Sequence, residues 1–228
     1  MANKYKFNWE DLNITVLDIA EGSGYPRDRV PERISSEIES IWLKYRSLIE
    51  PQVVVKILPA QIVNDELCCA DANFAIGNNI AAQVAGLQEA AFFVCTIGER
   101  LEQESARLTD SGELMQGFIV DCIGSLAAER LAEILQQQIE HTVELTGKTI
   151  SNRFSPGYCH WNVSAQHDLF RLLGSAPCGI VLSSSAMMRP LKSISGFIGI
   201  GVKLKKGYAC QTCEQQDKCL FRNRKNNL

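Results

Sequence analysis

From Glu113 to about Thr146 the chain runs without a proline and carries apolar residues at helical spacing. That stretch reads as one long helix, and it limits what the rest can do. A helix of that length in a globular chain needs a broad partner surface, which short apolar strands provide. Gly117 and Gly124 lie inside it and mark places where another backbone or side chain comes close. Gly147 follows as its cap.

The flanking segments supply that surface. Ala90–Ile97 is a continuous apolar run of the kind found in buried strands. Val53–Leu58 is β-branched and reads as a strand closed by Pro59. Further strands are expected at Asn13–Ile19, Ile180–Ser184 and Phe197–Lys203. Helices are expected from Pro31 to Ile49, Ile76 to Ala85, Glu99 to Leu108 and Ser164 to Leu173, the last capped by Ser164. The class is α+β: mixed helices packed on a small, mainly antiparallel sheet.

Composition narrows the function. The chain has 228 residues, 46% hydrophobic and 21% charged, with a net charge of −3, a balance that suits a packed core and lacks the basic face of a nucleic-acid binder. The apolar runs are too short to span a bilayer and the start lacks a signal-peptide core, so a cytoplasmic, non-membrane protein is expected. His141, His160 and His167 form no ligand set by spacing. There is no Gly-rich phosphate loop, and no Ser/His/Asp arrangement stands out.

Nine cysteines are many for such a chain. Cys68, Cys69, Cys95, Cys122 and Cys178 sit among apolar or small residues and read as small core hydrophobes. Cys210, Cys213 and Cys219 form a C-x-x-C pair with a third thiol nearby, a set that suits zinc or an iron–sulfur cluster, with Cys178, Cys159 or His160 as a fourth ligand, or a thiol role without metal.

The densest chemistry lies in Arg153-Phe154-Ser155-Pro156-Gly157-Tyr158. Pro156 presets one backbone angle and Gly157 admits a positive φ, so the turn brings peptide groups close to a ligand. Arg153 offers a planar fork for a carboxylate, and Tyr158 a flat face for a heterocycle or cation. These groups suit a small zwitterion with an attached ring system. Arg153 can equally pair with a nearby acid. Glu129, on a helix stripe with Phe118, Cys122, Ser125, Ala132 and Gln136, is either a ligand contact or half of a structural ion pair.

With Ser185-Ala186-Met187 and Ser193-Ile194-Ser195-Gly196 further on, the chain resembles the activation domain of cobalamin-dependent methionine synthase. That family carries Arg-Pro-x-Pro-Gly-Tyr and a later Ser-x-Ala-Met…Ser-x-Ser-Gly; here Phe154 replaces the first proline. The likeness is clearest from about Asp121 to Tyr208 and weaker from about Ile57 to Asp110. It implies an activation-domain core over 51–208, preceded by an appended strand and helix in 1–50 and followed by a Cys-rich tail in 209–228. It also implies S-adenosylmethionine bound by Glu129, Arg153, Ser155, Gly157, Tyr158 and Tyr208. An aspartate upstream of the long helices also holds the ligand in that family, and Asp18 is the nearest candidate by order.

The function implied is that of a stand-alone reactivation protein supporting reductive methylation of cob(II)alamin. Its partners would be a corrinoid-binding protein or methionine synthase core, which supplies the cobalamin, and a flavodoxin- or ferredoxin-like electron donor. The alternative is a non-catalytic interaction or metal-carrying protein that retains the fold.

Overall fold

The long helix forms because every third or fourth residue from Gly117 to Val143 is apolar or small and turns to one side. In the computed structural model, which describes residues 2–70 and 72–206, the helix α5 spans Leu114–Glu144. The other elements, in chain order, are β1 (Asn3–Lys6), α1 (Val16–Gly22), α2 (Glu32–Tyr45), β2 (Gln52–Val63), β3 (Glu66–Cys69) and β4 (Ala72–Ala75). Then come α3 (Gly77–Gln83), β5 (Leu87–Thr96), α4 (Arg100–Asp110), β6 (Thr149–Phe154), α6 (Gln166–Leu173), β7 (Val181–Leu182), β8 (Met188–Arg189) and β9 (Ser193–Gly201).

Seven strands make one antiparallel sheet in the order β4-β3-β2-β5-β9-β6, with β1 also paired to β2; β7 and β8 form a separate ribbon. Alternation along the strands splits the core in two. Val53, Val55, Phe93, Cys95, Ile198 and Ile200 face one way, onto Val120, Ile123, Ala127, Leu131 and Leu135 of α5 and Ile38, Ile41 and Trp42 of α2. Val54, Phe92, Val94, Phe154 and Phe197 face the other way, onto Phe74, Trp161, Leu169 and Ile180. Each fully buried large side chain contributes about 1.5–3 kcal/mol relative to exposure.

The two glycines inside α5 mark close approaches. A Cβ on Gly117 would lie 2.6 Å from Thr109 Oγ1 and 3.1 Å from the Ser105 carbonyl, so α4 and α5 meet nearly backbone to backbone. A Cβ on Gly124 would meet the stem of Lys192 at 3.2 Å. Gly147 takes the left-handed cap, at φ +72°.

Several sequence expectations give way to local chemistry. Asn13–Ile19 is not a strand. Thr15 Oγ1 accepts from the Asp18 amide, and Asp18 accepts from the Thr15 amide, a capping box that starts a helix at Val16. Pro59 does not close β2, which runs on to Val63; the proline falls between the segment paired with β1 (52–55) and the segment paired with β3 (60–63). α6 begins at Gln166 after a short 3₁₀ turn capped by Asn162 rather than Ser164. The strand expected over Ile180–Ser184 shrinks to Val181–Leu182, because Ser183 closes a turn onto Met187 through both its backbone amide and its hydroxyl. β9 starts four residues earlier than its apolar run. Among the described residues, no helix is long and apolar enough to cross a membrane.

Candidate functional site

Arg153, just before the Pro-Gly turn, sits near the end of β6. Between Ile150 and Arg153 the register with β9 slips. Ser151 causes the slip locally: its hydroxyl accepts from the Gly199 amide at 2.8 Å and donates to the Asn152 carbonyl at 2.8 Å, taking the place of ladder bonds. Regular pairing resumes at Arg153–Ile198 and Phe154–Phe197.

Arg153 is thereby turned toward α5, with only 11% of its side chain exposed. Its Nη2 donates to Glu129 Oε2 at 3.2 Å, and Glu129 is 60% exposed. Nη1 is buried and has no hydrogen-bond partner among the described residues. A buried guanidinium nitrogen without an acceptor is costly and points to an acceptor brought from outside. Behind it lies Cys95, fully buried. Burial pushes its thiol up to about 12, and the charge of Arg153 pulls it back only in part. Cys95 is therefore an inert wall rather than a nucleophile.

After Arg153 the chain crosses β9 at very close range. A Cβ on Gly196 would stand 2.1 Å from the Phe154 carbonyl and 3.1 Å from Ser155 Oγ. Only glycine fits there, and Ser155 lies over the space it leaves. The turn that follows is stapled by backbone bonds: the Tyr158 amide donates to the Ser155 carbonyl, Trp161 to Tyr158, and Gly157 to the Trp161 carbonyl at 2.7 Å. Gly157 takes φ +97°, and Cys159 and His160 are both left-handed at φ +50° and +68°. Non-glycine residues held there are strained, and such strain gathers at ligand loops. Trp161 holds the loop down. It is 1% exposed and meets Phe74 and Phe197 edge to face, at 5.9 and 5.5 Å between ring centroids. Tyr158, at the tip, is 71% exposed.

The second motif is joined by a residue the sequence did not single out. Gln166 is buried on α6; it accepts from Ser195 Oγ at 2.8 Å and donates to the Ala186 carbonyl at 2.8 Å. One amide thus ties the Ser185–Met187 loop to the Ser193–Gly196 strand. A buried glutamine has no periodic signature, which is why sequence reading missed it. Lys192 and Asp121, an ion pair of 2.7 Å at the other end of the same helix stripe, were missed as well.

Glu129 thus meets Arg153 at the end of β6, Ser155 follows against Gly196, and Gly157 and Tyr158 lie on the loop beyond. The stripe carrying Glu129 is open at that residue and at Phe118, both more than half exposed. Asp18 lies elsewhere in its bonding: it is 8% exposed, fixed by Thr15, and paired with Arg27 at 2.9 Å and Arg130 at 3.5 Å. Its partners are structural. Tyr208, Cys210, Cys213 and Cys219 lie outside the described residues. Among the described residues, no group of three or more His, Cys, Asp or Glu side chains is placed to hold a metal ion. Of the other cysteines, Cys95 is buried, while Cys68, Cys69, Cys122 and Cys178 are partly exposed.

No curated protein matches the chain. A solved structure described as "Crystal Structure of the MetH Reactivation Domain bound to AdoHcy" superposes with a TM-score of 0.66 at 18% identity, covering 91% of this chain and 80% of that one. At that identity the likeness establishes the fold. The family model "Vitamin B12 dependent methionine synthase, activation domain" matches residues 41–226. The chain belongs to the family of activation domains of vitamin B12-dependent methionine synthases.

Proposed function

We propose that the chain binds S-adenosylmethionine beside the end of β6 and serves the reactivation of a corrinoid-dependent methyltransferase such as methionine synthase. The observation that carries this reading is the Arg153 guanidinium. One nitrogen is fixed by Glu129; the other is buried and has no acceptor among the described residues. An amino-acid carboxylate supplies that acceptor, and Glu129, largely exposed, is left to receive the adjacent ammonium. The exposed ring of Tyr158, beyond the Ser155 turn, suits the heterocycle of the ligand. The structurally similar reactivation domain holds AdoHcy, the product left when S-adenosylmethionine gives up its methyl, which supports the choice of ligand.

When bound, S-adenosylmethionine supplies the methyl group, and a low-potential flavodoxin- or ferredoxin-like donor supplies the one electron that cobalt(II) needs to accept it. This chain's own part is positioning. Arg153 and Glu129 fix the amino-acid end, and the stapled loop keeps Tyr158 at the rim. A corrinoid presented by a partner protein then docks against a ligand already oriented.

The test is to mix the corrinoid protein, S-adenosylmethionine and a low-potential reductant, and to follow the corrinoid's visible spectrum. Conversion from the cobalt(II) form to the methylated form should require this chain and stop with Arg153→Ala. Conversion at the same rate without the chain would overturn the reading.

A further inference from the structure

The α5 stripe that carries Glu129 continues toward the helix start through Ser125 and Asp121, each one turn apart. A second cation meets it there. Lys192, in the strap before β9, is 16% exposed and lays its stem across Gly124, where a Cβ would crowd it at 3.2 Å. Its Nζ donates to Asp121 Oδ1 at 2.7 Å and to Ser125 Oγ at 2.8 Å, and Ser125 Oγ donates to the Asp121 carbonyl at 3.2 Å. The Lys192 carbonyl is itself pinned, accepting from the Ile97 amide at 3.2 Å. A glycine inside a helix costs up to about 1 kcal/mol relative to alanine, so this seat for a lysine stem is a built feature.

The arrangement repeats that of Arg153 and Glu129. In both pairs a mostly buried cation fixes one oxygen of a half-exposed carboxylate. β6 follows α5 through a short turn and runs back along it, so the 155–158 turn leads from Glu129 toward the Asp121 end. Asp121 and Glu129 are eight residues apart, about 12 Å along the helix.

We propose that Asp121, positioned by Lys192 and Ser125, is a second polar station of the same site and accepts the vicinal ribose hydroxyls of the adenosyl ligand. The proposal rests on the reading that this site binds S-adenosylmethionine. The ligand's carboxylate and ammonium share one carbon, so both belong at Arg153 and Glu129. The donors left at a distance are the ribose diol and the single adenine amine. An ionised carboxylate is acceptor-only, and the two hydroxyls of a diol match it in paired fashion. Oδ2 of Asp121 is the oxygen that Lys192 leaves available.

The experiment is calorimetric titration of the full chain with S-adenosylhomocysteine and with its 2′,3′-dideoxy analogue. The wild-type protein, Asp121→Asn and Lys192→Met are compared, and thermal melting without ligand checks each fold. The wild type should bind the dideoxy analogue about tenfold more weakly, the scale of a lost charge-assisted bond. Asp121→Asn should lose about as much for S-adenosylhomocysteine and little more for the analogue, so that the two losses do not add. Lys192→Met should show the same ligand-selective loss, smaller in size; if it fails to fold, the half-exposed Asp121 carries the test alone. Additive losses, or an unchanged Asp121→Asn, overturn this inference and leave the proposed function standing. A wild type that binds neither compound overturns both.

Discussion

Arg153 Nη2 stands 3.2 Å from Glu129 Oε2, with the arginine 11% exposed and the glutamate 60% exposed. The asymmetry matters more than the distance. An ion pair with one member in water contributes about 0–1 kcal/mol to stability. Yet a guanidinium has been placed at the sheet end with one nitrogen unpaired among the described residues, at a cost to the ligand-free fold. Arg153→Ala should therefore leave the melting temperature within a few degrees of the wild type, while weakening S-adenosylmethionine binding by about 1.5–3 kcal/mol. Calorimetric titration checks the second value, and equal affinity in the two proteins excludes Arg153 from the site.

Gly196→Ala should be among the most damaging single changes. Its Cβ would stand 2.1 Å from the Phe154 carbonyl, so β6 and β9 must separate for it to fit. A loss of about 3 kcal/mol or more is expected, the upper end of overpacking costs. Urea denaturation should show the midpoint falling sharply with little change in slope.

Gln166→Ala leaves two buried groups, Ser195 Oγ and the Ala186 carbonyl, without their partner. Each orphan costs about 1–3 kcal/mol. Gln166→Glu keeps the shape and, while protonated, a donor toward Ala186; once ionised it sets a buried charge against that carbonyl, so its denaturant midpoint should fall as pH rises from about 4 to 8 while that of the wild type does not.

Asp18 gives the fold a pH dependence. Burial alone pushes its carboxyl up, but the bonds from Thr15 and Arg27 and the charge of Arg130 outweigh burial and hold it below its ordinary value of 3.8. A group depressed in the folded state stabilises it above the unfolded pKa, and that stability is lost as pH falls through the folded value. Stability should therefore decline below about pH 4. Asp18→Asn should flatten that decline in acid melting curves while lowering stability at neutral pH.

Cys95 should resist alkylation in the native protein at pH 8, since its thiol titrates near 12 in the fold. Mass spectrometry after brief iodoacetamide treatment should find Cys159, which is exposed, modified well before Cys95. Rapid modification of Cys95 without unfolding would contradict the wall it forms behind Arg153.

The sequence made α5, β5, α4 and most of α2 readable because their burial is periodic or continuous over ten or more residues. β3 and β4 are four residues each, and β1 has no buried residue, so none of them carries a pattern long enough to read. β6 was hidden for another reason. Ser151, Asn152 and Arg153 are polar yet largely interior, because the sheet slips there to aim the arginine at α5. The Pro-Gly turn and its positive φ were legible from residue types alone. Gln166 and the Lys192–Asp121 pair were not. Each joins segments more than twenty residues apart or contacts a backbone, and neither relation leaves a local mark.

Trp161 sets the terms on which anything meets this surface. With its indole lodged among Phe74 and Phe197, the 155–161 turn cannot swing out without opening the second core. On the proposed reading this turn meets its ligand already in place, with little chain entropy left to lose. A turn pinned in this way does not fold down over the proposed ligand, and the side of that ligand facing away from it is offered to the partner protein's surface.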